Sequence, residues 1–303
     1  QYNETARYYK KLCLQYLQQT ELANFQNRYF STVNLKKDRI KKFALTGADW
    51  EGSYKITDLT TRYDAMYNRI GLRANIGWRW SMYNAVGFFQ QKLDEPGLKT
   101  VVNNRSININ QTEFYHLSTI NLLENLQVKA GYHYINTPFS NYLYHNSIGI
   151  FGIKYATPHI QLQASVYAGT LIDSNMQQIN LQASYFPFGN ADLYGISTIS
   201  LGKQGVKQQT NFKQVIGFKL TQKLWGEVNA TLGQFQNYLE NDGLYVYNAI
   251  DPNKIKTGGS LYYSLNNKMV LQAGYTFEEK NLYTYPNLLF YQNSINGGIK
   301  WTF

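Results

Sequence analysis

The stretch NSINGGIKWTF, residues 293–303, alternates in character from one residue to the next. Successive side chains of a strand point to opposite faces. Ile295, Gly297, Ile299, Trp301 and Phe303 therefore share one face, and Ser294, Asn296, Gly298, Lys300 and Thr302 the other. One apolar and one polar face suit a soluble half-buried strand as well as a membrane wall, so this segment needs its neighbours to be interpreted.

The alternation continues upstream. KMVLQAGYTF (268–277) sets Met269, Leu271, Ala273, Tyr275 and Phe277 against Lys268, Gln272, Gly274 and Thr276. KIKTGGSLYYSL (254–265) sets Ile255, Thr257, Leu261, Tyr263 and Leu265 against Lys254, Lys256, Ser260, Tyr262 and Ser264. HIQLQASVYA (159–168), QINLQASY (178–185) and LQVKAGYHY (126–134) repeat the pattern. RIGLRANIGWRW (69–80) places Ile70, Leu72, Ala74, Ile76, Trp78 and Trp80 opposite Arg69, Gly71, Arg73, Asn75, Gly77 and Arg79. Arginines at even spacing on one face require water or counter-charges, because an unpaired buried cation is costly.

Pattern alone does not separate a soluble sandwich from a membrane barrel, but strand length and punctuation do. The alternating segments run to about 10–14 residues, beyond the usual ~5–6 of globular strands and near the ~9–11 that cross a bilayer at a tilt. Candidate strands fall near 52–60, 68–80, 82–93, 112–122, 126–136, 143–155, 159–169, 176–186, 192–203, 207–220, 223–236, 254–265, 268–278 and 290–303. This is roughly 14, an even number as a single-chain bacterial barrel requires, and 12 or 16 also fit. Short connections around 81, 123–125, 157–158, 187–191, 221–222 and 266–267 alternate with longer ones at 94–111, 137–142, 170–175, 237–253 and 279–289. Short turns on one side and longer loops on the other are the habit of outer-membrane barrels.

Composition agrees. Among 303 residues only 16% are charged, 16% are aromatic with 27 Tyr, and the formal charge is +10. Soluble chains carry about 25% charged residues. There is no apolar run of ~18 residues and hence no transmembrane helix; the negative mean hydropathy is compatible with strands that are only half apolar. The single Cys13 makes no internal disulfide and fits no metal spacing. The first residue is Gln1 rather than Met, as expected after removal of a secretory signal, although an excised fragment would begin in the same way.

In these strands and in its terminal aromatic the chain resembles bacterial outer-membrane β-barrel proteins, porin-like barrels whose last strand ends in Phe. The resemblance implies an all-β, transmembrane, antiparallel up-and-down barrel over residues 51–303 in a Gram-negative outer membrane. It also implies contact with outer-membrane lipid and lipopolysaccharide, and a closing strand in which Gly297, Ile299, Trp301 and Phe303 are read by the barrel assembly machinery. In size, strand number and Asn/Lys/Tyr-rich composition the chain further resembles the PorP/SprF barrels of type IX secretion.

Residues 3–30 lack period-two alternation. Ala6, Tyr9, Cys13, Tyr16 and Leu17 recur at three and four, which predicts a helix. Residues 1–50 are expected to be a helical periplasmic segment that plugs the lumen, docks a periplasmic or outer-membrane partner, or links to an upstream domain.

The inward set is basic: Arg69, Arg73, Arg79, Lys129, Lys154, Lys207, Lys213, Lys219, Lys254, Lys256, Lys268 and Lys300, with Glu227 and Glu278 the clearest inward acids. Arg79, Lys129, Lys154, Lys219, Lys268 and Lys300 are expected near the periplasmic mouth, with Arg73 and Lys213 near mid-barrel. A cationic wall would favour anions, although lysines at strand ends also simply reach for water. Trp78, Trp80, Tyr263, Tyr275 and Trp301 suit interfacial girdles, and inward Tyr167 and Tyr262 suit sugar stacking.

Catalysis has one foothold. In HNSIG, His145 and Ser147 share a strand face and resemble the His-x-Ser-Asn-Gly of outer-membrane phospholipase A, but Ile148 stands where Asn is required and no third residue orients the His. His116, His133 and His159 have no metal-ligand spacing, and neither a phosphate loop nor a nucleic-acid motif is present. No cofactor is expected. The expected function is a channel or uptake pore for small polar or anionic solutes through a basic lumen. The alternative is a non-conducting barrel subunit of a secretion, adhesion or envelope-assembly complex, and an outer-membrane lipid hydrolase is more remote.

Overall fold

The computed structural model describes residues 43–77, 79–94, 106–139, 142–247, 251–283 and 285–303. The strands are β1 (Ala44–Thr57), β2 (Arg62–Ile76), β3 (Trp80–Asp94), β4 (Ser106–Asn121), β5 (Leu126–Phe139), β6 (Tyr142–Ala156), β7 (Ile160–Leu171) and β8 (Ser174–Tyr185). They continue as β9 (Leu193–Gln204), β10 (Lys207–Lys219), β11 (Leu224–Phe235), β12 (Tyr238–Glu240), β13 (Tyr245–Tyr247), β14 (Asn253–Ser264), β15 (Met269–Asn281) and β16 (Leu289–Thr302).

Fourteen strands close into one antiparallel barrel, β11 pairing with β14 and β16 with β1. Closure leaves no strand edge, as hydrocarbon demands, because every backbone polar group must find a partner within the wall. β12 and β13 form a separate two-stranded sheet.

The first strand begins at Ala44, earlier than the expected boundary at residue 51, so residues 44–50 belong to the barrel. Residues 47–51 keep the phase of the rest of β1, and only residues 44–46 are set off, by a bulge between Leu45 and Gly47 in the pairing with β2. A bulge adds one residue and shifts the side-chain phase, so outward Leu45 is odd while outward Trp50, Tyr54 and Ile56 are even. The expected helix in residues 3–30 lies outside the described residues.

At the end that holds the start of β1 and the end of β16, the connections are 77–79, 122–125, 157–159, 186–192, 220–223 and 265–268. The opposite end carries the long connections 95–105 and 236–252, but also short ones. Where a loop at 170–175 was expected, Ile172 and Asp173 alone turn the chain, both left-handed with φ of 50° and 52°. Such mirror-image turns match the right-handed twist of the strands they join.

Ile70, Leu72, Phe151, Leu162, Leu181, Leu232 and Ile295 cover the outer wall and are exposed, the arrangement for contact with lipid. Trp80, Tyr155, Tyr185, Tyr263 and Trp301 ring its lower rim and are also exposed. The tightly packed apolar cluster is inside the barrel. Ala85, Tyr115, Ile135, Ile148, Ile150, Tyr167, Leu171 and Met176 project from β3–β8 and pack on Leu239 of β12.

Candidate functional site: a hairpin across the lumen

Between β11 and β14 the sequence reads QNYLENDGLYVYNAIDP, residues 236–252. Asn-Asp-Gly flanked by apolar and aromatic residues is a hairpin signal. Asn241, Asp242 and Gly243 are left-handed, with φ of 50°, 57° and 79°. Asn, Asp and Gly tolerate this region. Tyr238 pairs with Tyr247, Leu239 with Val246 and Glu240 with Tyr245.

This hairpin crosses the lumen and is fastened on several sides. Gln178 of β8 donates to Leu239 O at 2.8 Å and accepts from Leu239 N at 3.0 Å, a reciprocal pair that treats the barrel side chain as a strand partner. On one flank Glu240 receives Lys213 Nζ at 3.1 Å and Lys256 Nζ at 3.3 Å, while the Tyr247 hydroxyl donates to it at 3.1 Å. At the tip Asp242 receives Lys129 Nζ at 2.6 Å and Gln163 Nε2 at 2.5 Å. Tyr115 donates to Asp242 O at 2.9 Å, and His133 Nδ1 lies 2.7 Å from Gly243 O. On the return strand the Tyr245 hydroxyl donates to Glu51 at 2.5 Å and accepts from Arg69 at 3.3 Å. Where the loop rejoins the wall, Arg62 clasps Asp251 through Nε at 2.7 Å and Nη2 at 3.2 Å. Gly243 packs tightly, since a Cβ there would meet Ile150 Cδ1 at 2.8 Å.

Burial alone would raise the Glu240 and Asp242 carboxyls. The Lys213 and Lys256 ammoniums overcome it for Glu240, and Lys129 with Gln163 for Asp242, so both lie below the ordinary carboxylate range. Both hairpin acids are therefore ionised at neutral pH.

The hairpin leaves an internal cavity of about 700 Å³. Among the described residues its lining holds eight basic side chains and seven acidic ones. The lumen is thus mixed in charge where a basic one was expected, because Glu240, Asp242 and Asp251 enter from a loop and Glu51 from β1, outside the strands that carried the sequence pattern. The NDG signal stands at residues 241–243, although 237–253 is expected only to be a long connection. Its insertion into the barrel was not legible in the sequence.

The expected basic residues divide into several groups. Arg69 is buried, 2.6 Å from Glu51 and 3.6 Å from Asp49, and Arg73 is 2.9 Å from Asp49. Lys129 and Lys213 hold the hairpin, and Lys154 is buried close enough for its charge to act on Asp242. Lys300 lines the cavity, 5.9 Å from the Tyr262 ring centroid. Lys219 reaches Asp192 at 3.6 Å and Lys254 reaches Glu279 at 3.1 Å. Arg79 and Lys268 depart from the expected inward strand positions: both are exposed in turns, since β2 ends at Ile76 and β15 begins at Met269. Glu227 accepts from Tyr262 at 2.7 Å and from Tyr194, and Glu278 is 3.3 Å from Lys280.

Gly297, Ile299, Trp301 and Phe303 follow the outward phase of β16, where Trp301 and Phe303 pack edge to face at 5.4 Å. Trp78 lies outside the described residues. His145 and Ser147 follow the outer phase of β6, hydrogen-bonded to Tyr134 at 2.7 Å and Tyr132 at 2.8 Å. Both tyrosines suited to sugar stacking border the cavity, Tyr167 almost wholly buried in the apolar cluster and Tyr262 partly exposed.

No family model and no curated protein matches the chain. Among solved structures it is similar to the CymD monoaromatic hydrocarbon channel, with a TM-score of 0.57 and 9% identity over 88% of this chain and 89% of that one. The toluene transporter TodX of Pseudomonas putida gives 0.55 and 9% over 85% and 89%. A bacterial polysaccharide outer membrane secretin gives 0.52 and 8% over 88% and 100%. At these identities the likeness is one of fold, and the fold is that of an outer-membrane β-barrel.

Proposed function

We propose that the protein is an outer-membrane channel for small polar solutes in which the β12–β13 hairpin sets the conducting cross-section. The observation that carries this reading is the way the hairpin is held. Its contacts on β10, β14 and the β1–β2 wall are ion pairs and hydrogen bonds to side chains, which exchange with water more readily than apolar packing, and beside it remains a cavity of about 700 Å³. The likeness to CymD, a monoaromatic hydrocarbon channel, and to TodX, a toluene transporter, accords with a transport role. Their hydrocarbon cargo does not suit a lumen lined by so many charged and carboxamide groups.

One observation favours the alternative of a non-conducting subunit of an envelope complex, namely that the hairpin spans the lumen. Planar-bilayer recordings of the intact protein and of a variant with residues 238–247 replaced by a short Gly-Ser bridge distinguish the two. A channel conducts when intact and conducts several-fold more without the hairpin, as expected when the constriction of a pore is widened. A barrel that stays silent in both forms, while folded by heat-modifiable migration in gels, overturns the channel reading. In either case we assign Gly297, Ile299, Trp301 and Phe303 to recognition by the barrel assembly machinery, tested by loss of membrane insertion in Phe303→Ala.

A further inference from the structure

We infer that the cavity is a path and weak binding site for neutral, polyhydroxylated solutes of saccharide size, running along the wall formed by β11, β14, β15, β16 and β1. The inference rests on the channel reading and names its substrate class.

The lumen has two unlike walls. The β3–β8 wall carries the apolar cluster, covered by Leu239, together with Lys129, Gln163 and Gln178, which are engaged by the hairpin. Among the described residues the opposite wall meets the hairpin through Lys256 and Glu51 and otherwise borders the cavity, and between its charged side chains it carries small uncharged polar groups in register. Asn229 of β11 pairs with Gly258 of β14, Gly258 with Thr276 of β15, and Thr276 with Ser294 of β16. One step lower, Ser260 pairs with Gly274 and Gly274 with Asn296. Below that, Tyr262 pairs with Gln272 and Gln272 with Gly298. Gly258, Gly274 and Gly298 recess the wall by one side chain in each strand.

These groups have spare hydrogen-bonding capacity. Asn296 donates to Thr276 at 3.2 Å, but Asn229, Ser260, Gln272 and Ser294 make no side-chain hydrogen bond with the described residues. Carboxamides and hydroxyls both donate and accept, which complements a solute whose hydroxyls do the same. The flat ring of Tyr262, its hydroxyl fixed on Glu227 at 2.7 Å, offers a face on which a sugar ring can stack.

Charge argues against an anion. On this side Lys280 is met by Glu278 at 3.3 Å, Lys256 by Glu240 at 3.3 Å and neighbouring Arg73 by Asp49 at 2.9 Å, while Lys55 and Lys300, which also line the cavity, lie within the field of Glu278 and of Asp49 and Glu51. An anion would have to compete with carboxylates already in place. A hydrocarbon would leave the polar row without partners, the circumstance in which polar sites discriminate most strongly.

The experiment compares efflux of radiolabelled glucose and gluconate, nearly equal in size, from proteoliposomes, with potassium chloride conductance recorded on the same preparation. Glucose is expected to leave at least about fivefold faster than gluconate, and Gln272→Leu with Asn296→Leu to slow glucose about fivefold per conducting channel. Equal rates, faster gluconate, or glucose flux untouched by the double variant overturn the inference. Conductance without glucose permeation overturns it and leaves the channel reading standing, whereas absence of both conductance and flux overturns the two together. Should the double variant fail to fold, the intact protein still decides: glucose must reduce the single-channel current in a concentration-dependent way, and a current indifferent to glucose sinks the idea.

Discussion

The β3–β8 wall and the β14–β1 wall of this barrel follow the same period-two rule, yet only the first carries an apolar cluster on its inner face. On the first, Ile135, Ile148, Ile150, Leu171 and Met176 point into the lumen, where water would meet them in an empty barrel. On the second, serine, threonine, asparagine and glutamine do, interspersed with Glu51, Lys55, Lys256, Glu278, Lys280 and Lys300. Because an apolar inner face is costly to leave wet, the hairpin covers that side, burying Leu239 completely and packing Leu244 and Val246 against the cluster. Among the described residues the polar side meets the hairpin only through polar groups such as Lys256 and Glu51 and otherwise borders the cavity. The position of the plug is therefore set by which wall would otherwise be wet at a cost, and the ion pairs of Glu240 and Asp242 add orientation to an attachment that is hydrophobic at its centre.

The sharpest way to break this contrast is to spoil the apolar contact. Leu239→Asp would set an unpaired carboxylate among Ile148, Tyr167 and Met176, and costs the docked hairpin about 3 kcal/mol or more. The hairpin is then expected to be cut by proteinase K in intact cells while the barrel resists, and an uncut hairpin would show that polar contacts alone suffice. Leu239→Ala is a milder form, at about 2–3 kcal/mol.

Acid is expected to act next, through the polar contacts. Glu240 and Asp242 have folded values held below their ordinary 4.5 and 3.8. A depressed folded value contributes stability that is present above the unfolded value and disappears as pH falls through the folded one. Docking is thus insensitive to pH at neutrality and weakens below about pH 4, read as a rise in bilayer conductance between pH 5 and 3. Glu240→Gln removes the carboxylate from between Lys213 and Lys256 and is expected to raise conductance already at pH 7, by an effect of about 2 kcal/mol on docking. If conductance stays flat across this range in both proteins, electrostatic fastening is refuted.

Smaller effects separate the wall from the rim. Arg73→Glu sets two carboxylates together where Arg73 now meets Asp49, and is expected to move ion selectivity toward cations, measured as a shift in reversal potential under a salt gradient. Lys268→Ala, in an exposed turn, should change conductance by less than about twofold, since screening confines a solvent-exposed charge to roughly 10 Å at 0.1 M salt. A larger effect of Lys268 than of Arg73 would place the selective region at the mouth.

Much of the barrel was legible because each strand satisfies its own backbone and side-chain alternation locally. The segments near 126–136, 207–220 and 254–265 lie within a few residues of β5, β10 and β14. At the start of the first strand the bulge at Leu45–Gly47 reverses the phase of residues 44–46, and Arg79 was placed inward because GWRW continues the alternation past the turn that begins at Gly77. Of the candidate site, Arg69, Arg73, Lys129, Lys213 and Lys300 were legible as inward cations, but their acidic partners were not.

From the sequence alone followed the class of protein: long alternating strands, an even strand number and an aromatic closing strand leave a barrel in lipid as the structure that satisfies every backbone group. Only the tertiary structure decided what the lumen contains. Asp242 lies 113 residues from Lys129 and Asp251 189 residues from Arg62 along the chain, and no periodicity within a strand encodes a meeting between a loop and the far wall. That meeting depends on the summed chemistry of inner faces from many strands, which exists only once the barrel has closed.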